Sequence, residues 1–285
     1  MSTPSETREF LARLDVAPDG DDRFTGTCHP AWPGRAFGGQ VVAKALTAAA
    51  RTAPDAAMAP LSVHAYFHAP VDAGEVADYA VERVKDGRTF ATRRVAVTQD
   101  GRLRTTVVAL LGAPGAGPDH QGTAPVVPSP GVLPPEDRLI PEVILPRDAD
   151  FEAMGYPVDG RVDLRVVDQA LSSAGTRRPT WMRVTVDLPD DPLTGAALLC
   201  YLSDITLGTT ALQPHGGREA TTDLQLGALE ISLWFARPAP TREWMLFDFS
   251  TPAAGGGRAL AHGVIHDAEG DVLAVAVQNA LLRSA

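Results

Sequence analysis

The sequence predicts an α+β protein built from two tandem copies of one unit, each a central helix wrapped by antiparallel strands. Three observations carry that reading. One phrase is written twice: His64-Ala65-Tyr66-Phe67-His68-Ala69-Pro70 returns as Ser232-Leu233-Trp234-Phe235-Ala236-Arg237-Pro238, an offset of 232 − 64 = 168. Asp100-Gly101 and Glu269-Gly270 precede matching apolar runs at 270 − 101 = 169, and Ala36-Phe37-Gly38-Gly39-Gln40 aligns with Asp204-Ile205-Thr206-Leu207-Gly208 at 168. Each copy then reads as one buried helix and several long strands, and a proline-dense stretch divides the two. A period this long indicates a duplicated domain rather than a solenoid.

In chain order, Ser5 to Leu14 places Phe10, Leu11 and Leu14 at helical spacing, a short amphipathic opener. Gly39 to Arg51 carries a wide stripe of Val41, Val42, Ala45, Leu46, Ala49 and Ala50, the pattern of a helix buried on most sides. Strands are expected at Leu61 to His68, Glu75 to Lys85, Thr89 to Gln99 and Arg102 to Gly112, the last two joined at the Asp100-Gly101 turn. Ala113 to Pro146 contains nine prolines and reads as a semi-extended crossover. The division expected is therefore an N-terminal unit over 1–112, a linker over 113–147 and a C-terminal unit over 148–285. In that second unit Arg161 to Val167 and Thr180 to Leu188 read as strands. Thr194 to Leu202 leads into a central helix that begins near Asp204 and stops before Pro214, and strands follow at Leu226 to Arg237, Trp244 to Thr251, Arg258 to His266 and Asp271 to Leu282.

A net charge of −10 argues against a nucleic-acid footprint or an anionic membrane target. Lysine occurs only at 44 and 85, so an anionic ligand would need a local arginine patch. Arg88, Arg93, Arg94, Arg237 and Arg258 are candidates for it, with surface ion pairing as the alternative for each. Cys28 and Cys200 lie in different halves without metal-ligand spacing, which reads as two buried thiols in a reducing compartment. Met1 to Arg8 has no apolar signal region and no stretch reaches membrane-spanning length, so a cytoplasmic protein is expected. The sequence contains no G-x-S-x-G elbow, phosphate loop or H-E-x-x-H, and no Cys/His cluster with zinc spacing. His64, His68, His215, His262 and His266 share no spacing that asks for a metal.

Two polar residues stand out. Asp204 follows the apolar run Ala196 to Leu202 and opens the expected second helix. There it is either an N-cap or a buried base that polarises water, beside free helix-start N–H groups suited to an oxyanion. Gln278 sits inside Val272 to Leu282, apolar on both sides. An unpaired amide there would cost about 1–3 kcal/mol, so it is either a structural amide or orients a ligand or water.

Ala36-Phe37-Gly38-Gly39-Gln40-Val41-Val42, Ser203-Asp204, Leu212-Gln213-Pro214-His215-Gly216, Trp234-Phe235-Ala236-Arg237-Pro238 and Val277-Gln278 together resemble the acyl-CoA thioesterase II family, over about Phe10 to Arg283. The resemblance implies a double hotdog fold and hydrolysis of acyl-CoA thioesters without cofactors. It implies also that an Asp, a Thr and a Gln of the second half hold the attacking water. The Asp falls at Asp204 and the Gln at Gln278. The Thr position falls at Ala228, where the family's following Asp-His is replaced by Glu230-Ile231. Losing one such polar group can cost roughly 10²–10³ in rate.

Strand alternation would put Ala228, Glu230, Ser232 and Trp234 on one face, so Glu230 or Ser232 is a candidate stand-in for the missing hydroxyl. The alternatives are a solvated or interface carboxylate and a structural serine; Ser203 is a further hydroxyl. Gly39 either permits close substrate approach or serves tight helix packing. Ala36 and Ala109 stand where the first copy would carry Asp204 and Gln278, which implies one composite site per chain.

The leading reading is hydrolysis of an acyl-CoA or related pantetheine thioester, with Asp204, Gln278 and Glu230 as catalytic candidates and Gly39, Ala228 and Ser232 as substrate-binding ones. The rivals are a specialised pathway enzyme using Glu230 on an unusual acyl thioester, and a non-catalytic acyl-thioester binder. The expected partners are the acyl-thioester substrate and further copies of the chain, as a homodimer or higher homo-oligomer, with no nucleic acid, membrane, metal or cofactor.

Overall fold

The computed structural model describes residues 2–32, 34–135, 160–167, 175–216 and 224–284. Helix α1 (Pro4–Leu14) starts at Thr3, whose hydroxyl and the Glu6 carboxylate form a capping box. Four short strands follow, β1 (Ala17–Pro18), β2 (Arg23–Thr27), β3 (Pro30–Trp32) and β4 (Arg35–Ala36), which lack the length to be visible as periodic pattern. Helix α2 (Gly38–Arg51) is buried almost throughout. Then come β5 (Ala59–Phe67), β6 (Val76–Asp86), β7 (Phe90–Gln99) and β8 (Arg102–Gly112), each within two residues of expectation. Asp100 and Gly101 both take positive φ, as a tight hairpin turn requires.

The second half contributes β9 (Val162–Val166), β10 (Arg177–Val184), helix α3 (Pro192–Thr210), and strands β11 (Leu224–Phe235), β12 (Met245–Gly255), β13 (Arg258–His266) and β14 (Val272–Ser284). The expected start of this unit at 148–159 and the later linker at 136–147 lie outside the described residues. Within the linker, Asp119 pairs with Arg237 at 3.1 Å, Gln121 accepts from the Val272 N–H at 3.0 Å, and Pro128 O accepts from the Trp181 indole at 3.0 Å. The linker is thus tied along the second half, and Arg237 is engaged there rather than free for a phosphate. Arg93 is likewise occupied: fully buried, it donates to Thr52 and pairs with Asp86.

The second helix departs from expectation. It begins at Pro192, behind an Asp191 N-cap whose carboxylate accepts from the Leu193 and Thr194 N–H groups at 3.0 Å each. Asp204 therefore lies deep within the helix and caps nothing. The stretch Thr194 to Leu202 is helix because α3 is apolar on every side and shows no helical period to the eye. Long and apolar enough by composition to cross a membrane, it is instead buried inside the protein.

One twelve-stranded sheet holds both halves, in the order β1-β2-β6-β7-β8-β5-β11-β14-β13-β12-β10-β9. The order is mirrored about the β5–β11 seam, where His64 faces Ser232, its own counterpart at offset 168. The duplication is thus a pseudo-two-fold axis through that pair. Likewise Ala109 pairs with Val63 as Gln278 pairs with Ile231. The helical anchor does not hold. The offset between α2 and α3 is 192 − 38 = 154 at their first residues and 210 − 51 = 159 at their last, so the counterpart of Asp204 falls within Ala45 to Ala50 rather than at Ala36.

The three helices described form a closed set. Along α2, Lys44, Thr47 and Arg51 share one face and donate to the carbonyls of Ala12, Asp15, Leu14 and Val16 at the end of α1. Phe10 of α1 packs edge-on against Tyr201 of α3 with ring centroids 5.5 Å apart, and Arg13 donates to the Tyr201 hydroxyl at 3.0 Å. Helices α2 and α3 meet at Gly39, where a Cβ would stand 2.8 Å from Asp204 Cβ and 2.9 Å from the carbonyl oxygens of Cys200 and Tyr201. Two of those three atoms are backbone and cannot swing aside. Gly39→Ala should therefore cost about 1–3 kcal/mol of stability, seen as a melting midpoint several degrees lower. Gly117→Ala, where a Cβ meets nothing within 4 Å, should melt with the parent.

Candidate active site

Asp204 and Gln278 meet. The Gln278 Nε2 donates to Asp204 Oδ1 at 2.7 Å, and the Gly39 N–H donates to Asp204 Oδ2 at 2.7 Å. The carboxylate thus joins the first turn of α2 in one half to β14 in the other. Burial is the largest influence on it and raises its pKa above the ordinary aspartate value, while the bonds from Gln278 and Gly39 pull the other way. No charged side chain takes part. Asp204 nevertheless keeps an accessible face, whereas Gln278 is fully buried.

Glycine makes these contacts possible at three positions, two of which sequence reasoning passed over. A Cβ on Gly38 would lie 2.9 Å from Asp204 Oδ2, and one on Gly208 would lie 2.7 Å from Gln278 Oε1. The Gln278 amide therefore rests against the bare backbone of α3, one helical turn beyond Asp204. The spacing Asp204-x-x-x-Gly208, which places both on one helix face, was the available signal. The other end of that amide, Oε1, is buried with no hydrogen-bond partner among the described residues.

Ala228 lies where alternation alone does not put it. Pairing of β11 with β14 runs Ile231↔Gln278 and Glu230↔Asn279, then Ala228↔Ala280, so Leu229 is an extra residue at a β-bulge. Directly paired residues share a face. Ala228 is thereby turned inward with Ile231, Gln278 and Ala280, and faces α3. Glu230 and Ser232 stay on the outer face with Asn279 and Val277.

This corrects both proposed stand-ins. Glu230 is on the far side of the sheet from Gln278 and cannot replace a hydroxyl beside it. Ser232 is bonded to His64 Nδ1 at 3.0 Å on that same outer face, away from any substrate path on the inner side. Ser203 is fully buried on α3. Gly39 contacts Asp204 directly, so packing and site-building are one role there. At the corresponding places of the first half, Ala109 is a buried alanine and Ala45 to Ala50 of α2 carries no carboxylate.

Several of the other candidates have structural partners. His68 bonds Thr106 at 2.8 Å, His262 contacts Ser250, and among the described residues no cluster of three His, Cys, Asp or Glu could hold a metal. Arg94 pairs with Glu82 on the sheet surface. Cys28 and Cys200 are free, buried thiols, and burial pushes both pKa values up, which makes them poor nucleophiles.

Comparison with known proteins gives the same picture. Residues 138–282 match a family model described as the acyl-CoA thioesterase C-terminal domain, and residues 28–112 match its N-terminal counterpart. Acyl-CoA thioesterase 2 of Haemophilus influenzae is 32% identical over 253 residues, 87% of each chain. Acyl-coenzyme A thioesterase 8 of Homo sapiens is 28% identical over 296 residues, 98% of this chain and 91% of that one. Among solved structures, an acyl-CoA thioesterase II TesB2 from Mycobacterium marinum superposes with a TM-score of 0.80 at 32% identity, covering 96% of this chain and 98% of that one. A hot dog fold protein from Alicyclobacillus acidocaldarius, at 20% identity, superposes with a TM-score of 0.78 over 97% of this chain and 98% of its own, and supports the fold alone. With a double hotdog architecture and both halves matched in order, this chain belongs to the acyl-CoA thioesterase family.

Proposed function

We propose that this enzyme hydrolyses acyl-CoA thioesters with a water molecule held between Asp204 and Gln278. One observation carries the assignment: a carboxylate and a carboxamide from different elements are bonded at 2.7 Å on the inner face of the sheet, and the amide oxygen is left as a buried acceptor. Water placed there donates one hydrogen to the Asp204 carboxylate and the other to Gln278 Oε1. Its lone pair is then free for the thioester carbonyl carbon. The N–H of Gly38, at the first helical position of α2, has no intrahelical acceptor and can receive the developing oxyanion. As the C–S bond breaks, the proton taken by Asp204 passes to the leaving thiolate, giving free acid and free thiol.

Further readings accompany this one. The chain divides as 1–112, 113–147 and 148–285. The two buried thiols suit a reducing, cytoplasmic setting, and an acyl-CoA substrate suits a role in lipid metabolism. Exposed Tyr66 and Trp234, related by the 168 offset and flanking the pseudo-two-fold axis, suit association of copies through the outer sheet face. The rival use of Glu230 as acid or base is not supported, since that side chain lies on the outer face.

Asp204→Asn is nearly isosteric, and should reduce thiol release from acyl-CoA by at least about 100-fold while keeping the fold; full activity in this variant would end the assignment. The raised pKa of Asp204 makes the carboxylate the minor form in acid, so kcat/KM should fall as pH drops through a value above the ordinary aspartate range. Stability runs the opposite way. A carboxyl whose folded pKa is raised stabilises the protein below its unfolded pKa, and loses that contribution as pH rises through the folded value. Asp204→Asn should therefore melt at or above the parent at neutral pH.

Ala228→Thr would restore a hydroxyl on the inner face beside Gln278. We expect kcat to rise by about tenfold, part of the roughly 10²–10³ that one preorganised polar group can supply, read by thiol release at saturating substrate. A fall in kcat would indicate that the methyl is needed for substrate fit.

A further inference from the structure

We infer that Tyr201 is a positioning residue for the reaction: its ring sets the register of the first turn of α2 against α3, and so holds the Gly39 N–H on Asp204. The inference rests on the reading of Asp204 given above. Tyr201 precedes Asp204 by three residues on α3, so both project toward α2. Its ring is met edge-on by Phe37, centroids 5.4 Å apart, and Phe37 is the residue from which α2 springs. Two and three positions apart, respectively, two of the contacts between the start of α2 and α3 are thus Phe37 on Tyr201 and Gly39 on Asp204. A helix end gripped at two such points cannot slide or turn without breaking both.

The far side of the ring is equally committed. Phe10 packs on it at 5.5 Å, and Arg13 donates to its hydroxyl while lying over Phe10, 5.3 Å from the ring centroid. Helix α1 is in turn fixed to α2 through Lys44 and Thr47. The chain of contacts α1–Tyr201–Phe37–α2–α1 is closed, and the Gly39–Asp204 bond lies at one corner of it. A tyrosine that served packing alone would not need the start of α2 as its neighbour.

The consequence for chemistry follows from the bond it protects. The Gly39 N–H stabilises the ionised form of Asp204, so loosening it should raise the acid limb of the rate profile further. No other charge masks this effect. Of the titratable groups on the elements packed against α3, Arg13 is bound to Tyr201, and Lys44 to the carbonyls of Ala12 and Asp15. His64 of β5 and Glu230 of β11 lie on the outer face of the sheet. Asp248 of β12 pairs with Arg177 of β10, and His262 of β13 contacts Ser250. Arg178 of β10 and His266 of β13 are buried as well. None of these groups is among the influences on the Asp204 carboxyl, which are burial, Gln278 and Gly39.

The test is steady-state thiol release from one acyl-CoA across pH, on the full chain, for Tyr201→Leu, Phe37→Leu and Tyr201→Phe. Tyr201→Leu removes the ring contacts and should lower kcat about tenfold with KM within a factor of two, and move the acid limb of kcat/KM to higher pH. Phe37→Leu should do the same in weaker form, and serves as the deciding variant if Tyr201→Leu does not fold. Tyr201→Phe keeps the ring and should retain the parental acid limb. A folded Tyr201→Leu or Phe37→Leu enzyme with the parental acid limb and kcat would overturn the inference. So would a change confined to KM or to the melting midpoint. If Asp204→Asn keeps full activity, it is the assignment of the carboxylate that fails, and the two failures are thereby distinguished.

Discussion

The carboxylate of Asp204 is the constraint on which the arrangement turns. It is largely withdrawn from water, with no charged side chain to neutralise it, and what it has instead is one N–H from each half of the molecule, Gly39 on Oδ2 and Gln278 on Oδ1. Two neutral donors offset only part of the loss of hydration, which is why its pKa stays raised. The donors must also be brought very close, and no side chain fits between. Glycine at 38, 39 and 208 is the local answer, each lying where a Cβ would press on the carboxylate, the amide or the backbone beneath them. The site is therefore as much a matter of missing side chains as of present ones.

The duplication explains how such a site came to be single. The sheet has kept the repeat: counterpart strands occupy mirrored places, and counterpart residues pair across the β5–β11 seam. The helices have not. Helix α3 has 19 residues against 14 in α2, and is placed differently in sequence relative to its strands. That asymmetry matters chemically, because the longer helix carries Asp204 in its interior and offers a side-chain carboxylate to the free N–H groups of the shorter helix's first turn. Two identical halves related by a two-fold would make each off-axis contact twice, so a carboxylate facing a helix start would occur in both junctions. The unequal helices leave the Asp204–Gly39 contact on one side.

Much of this was legible in the sequence, and the failures have physical causes. The long strands of the first half alternate cleanly because one sheet face is buried and the other is not, so their limits could be read within two residues. The polar pair was visible as two hydrophilic groups in runs that otherwise bury every side chain. The start of α3 was hidden because a helix enclosed on all sides has no polar face to set a period, and Asp191-Pro192, a capping residue followed by proline, was the only mark of its beginning. The bulge at Leu229 left one mark, Gly227 two residues before it, a lone glycine inside a strand that the alternation reading passed over. Yet that single extra residue decides which of Ala228 and Glu230 faces the helix, since a one-residue slip exchanges the faces of a strand.

Ala228 then has a more definite meaning than a lost hydroxyl. In the proposed mechanism, with a methyl on the inner face beside Gln278, the attacking water has the carboxylate of Asp204 and the oxygen of Gln278 as its acceptors from this wall of the site. Two acceptors fix both hydrogens of a water and leave its lone pair unopposed, whereas a third polar neighbour would serve mainly to restrict rotation about that arrangement. Such restriction can be supplied instead by rigidity in the acceptors themselves. Gln278 is held flat against Gly208 and tied to Asp204, and Asp204 is tied to Gly39, so neither acceptor turns independently of the other. In that mechanism a site with a methyl at 228 depends correspondingly more on the packing that keeps those two groups in register, and that dependence falls on the contact between the two central helices.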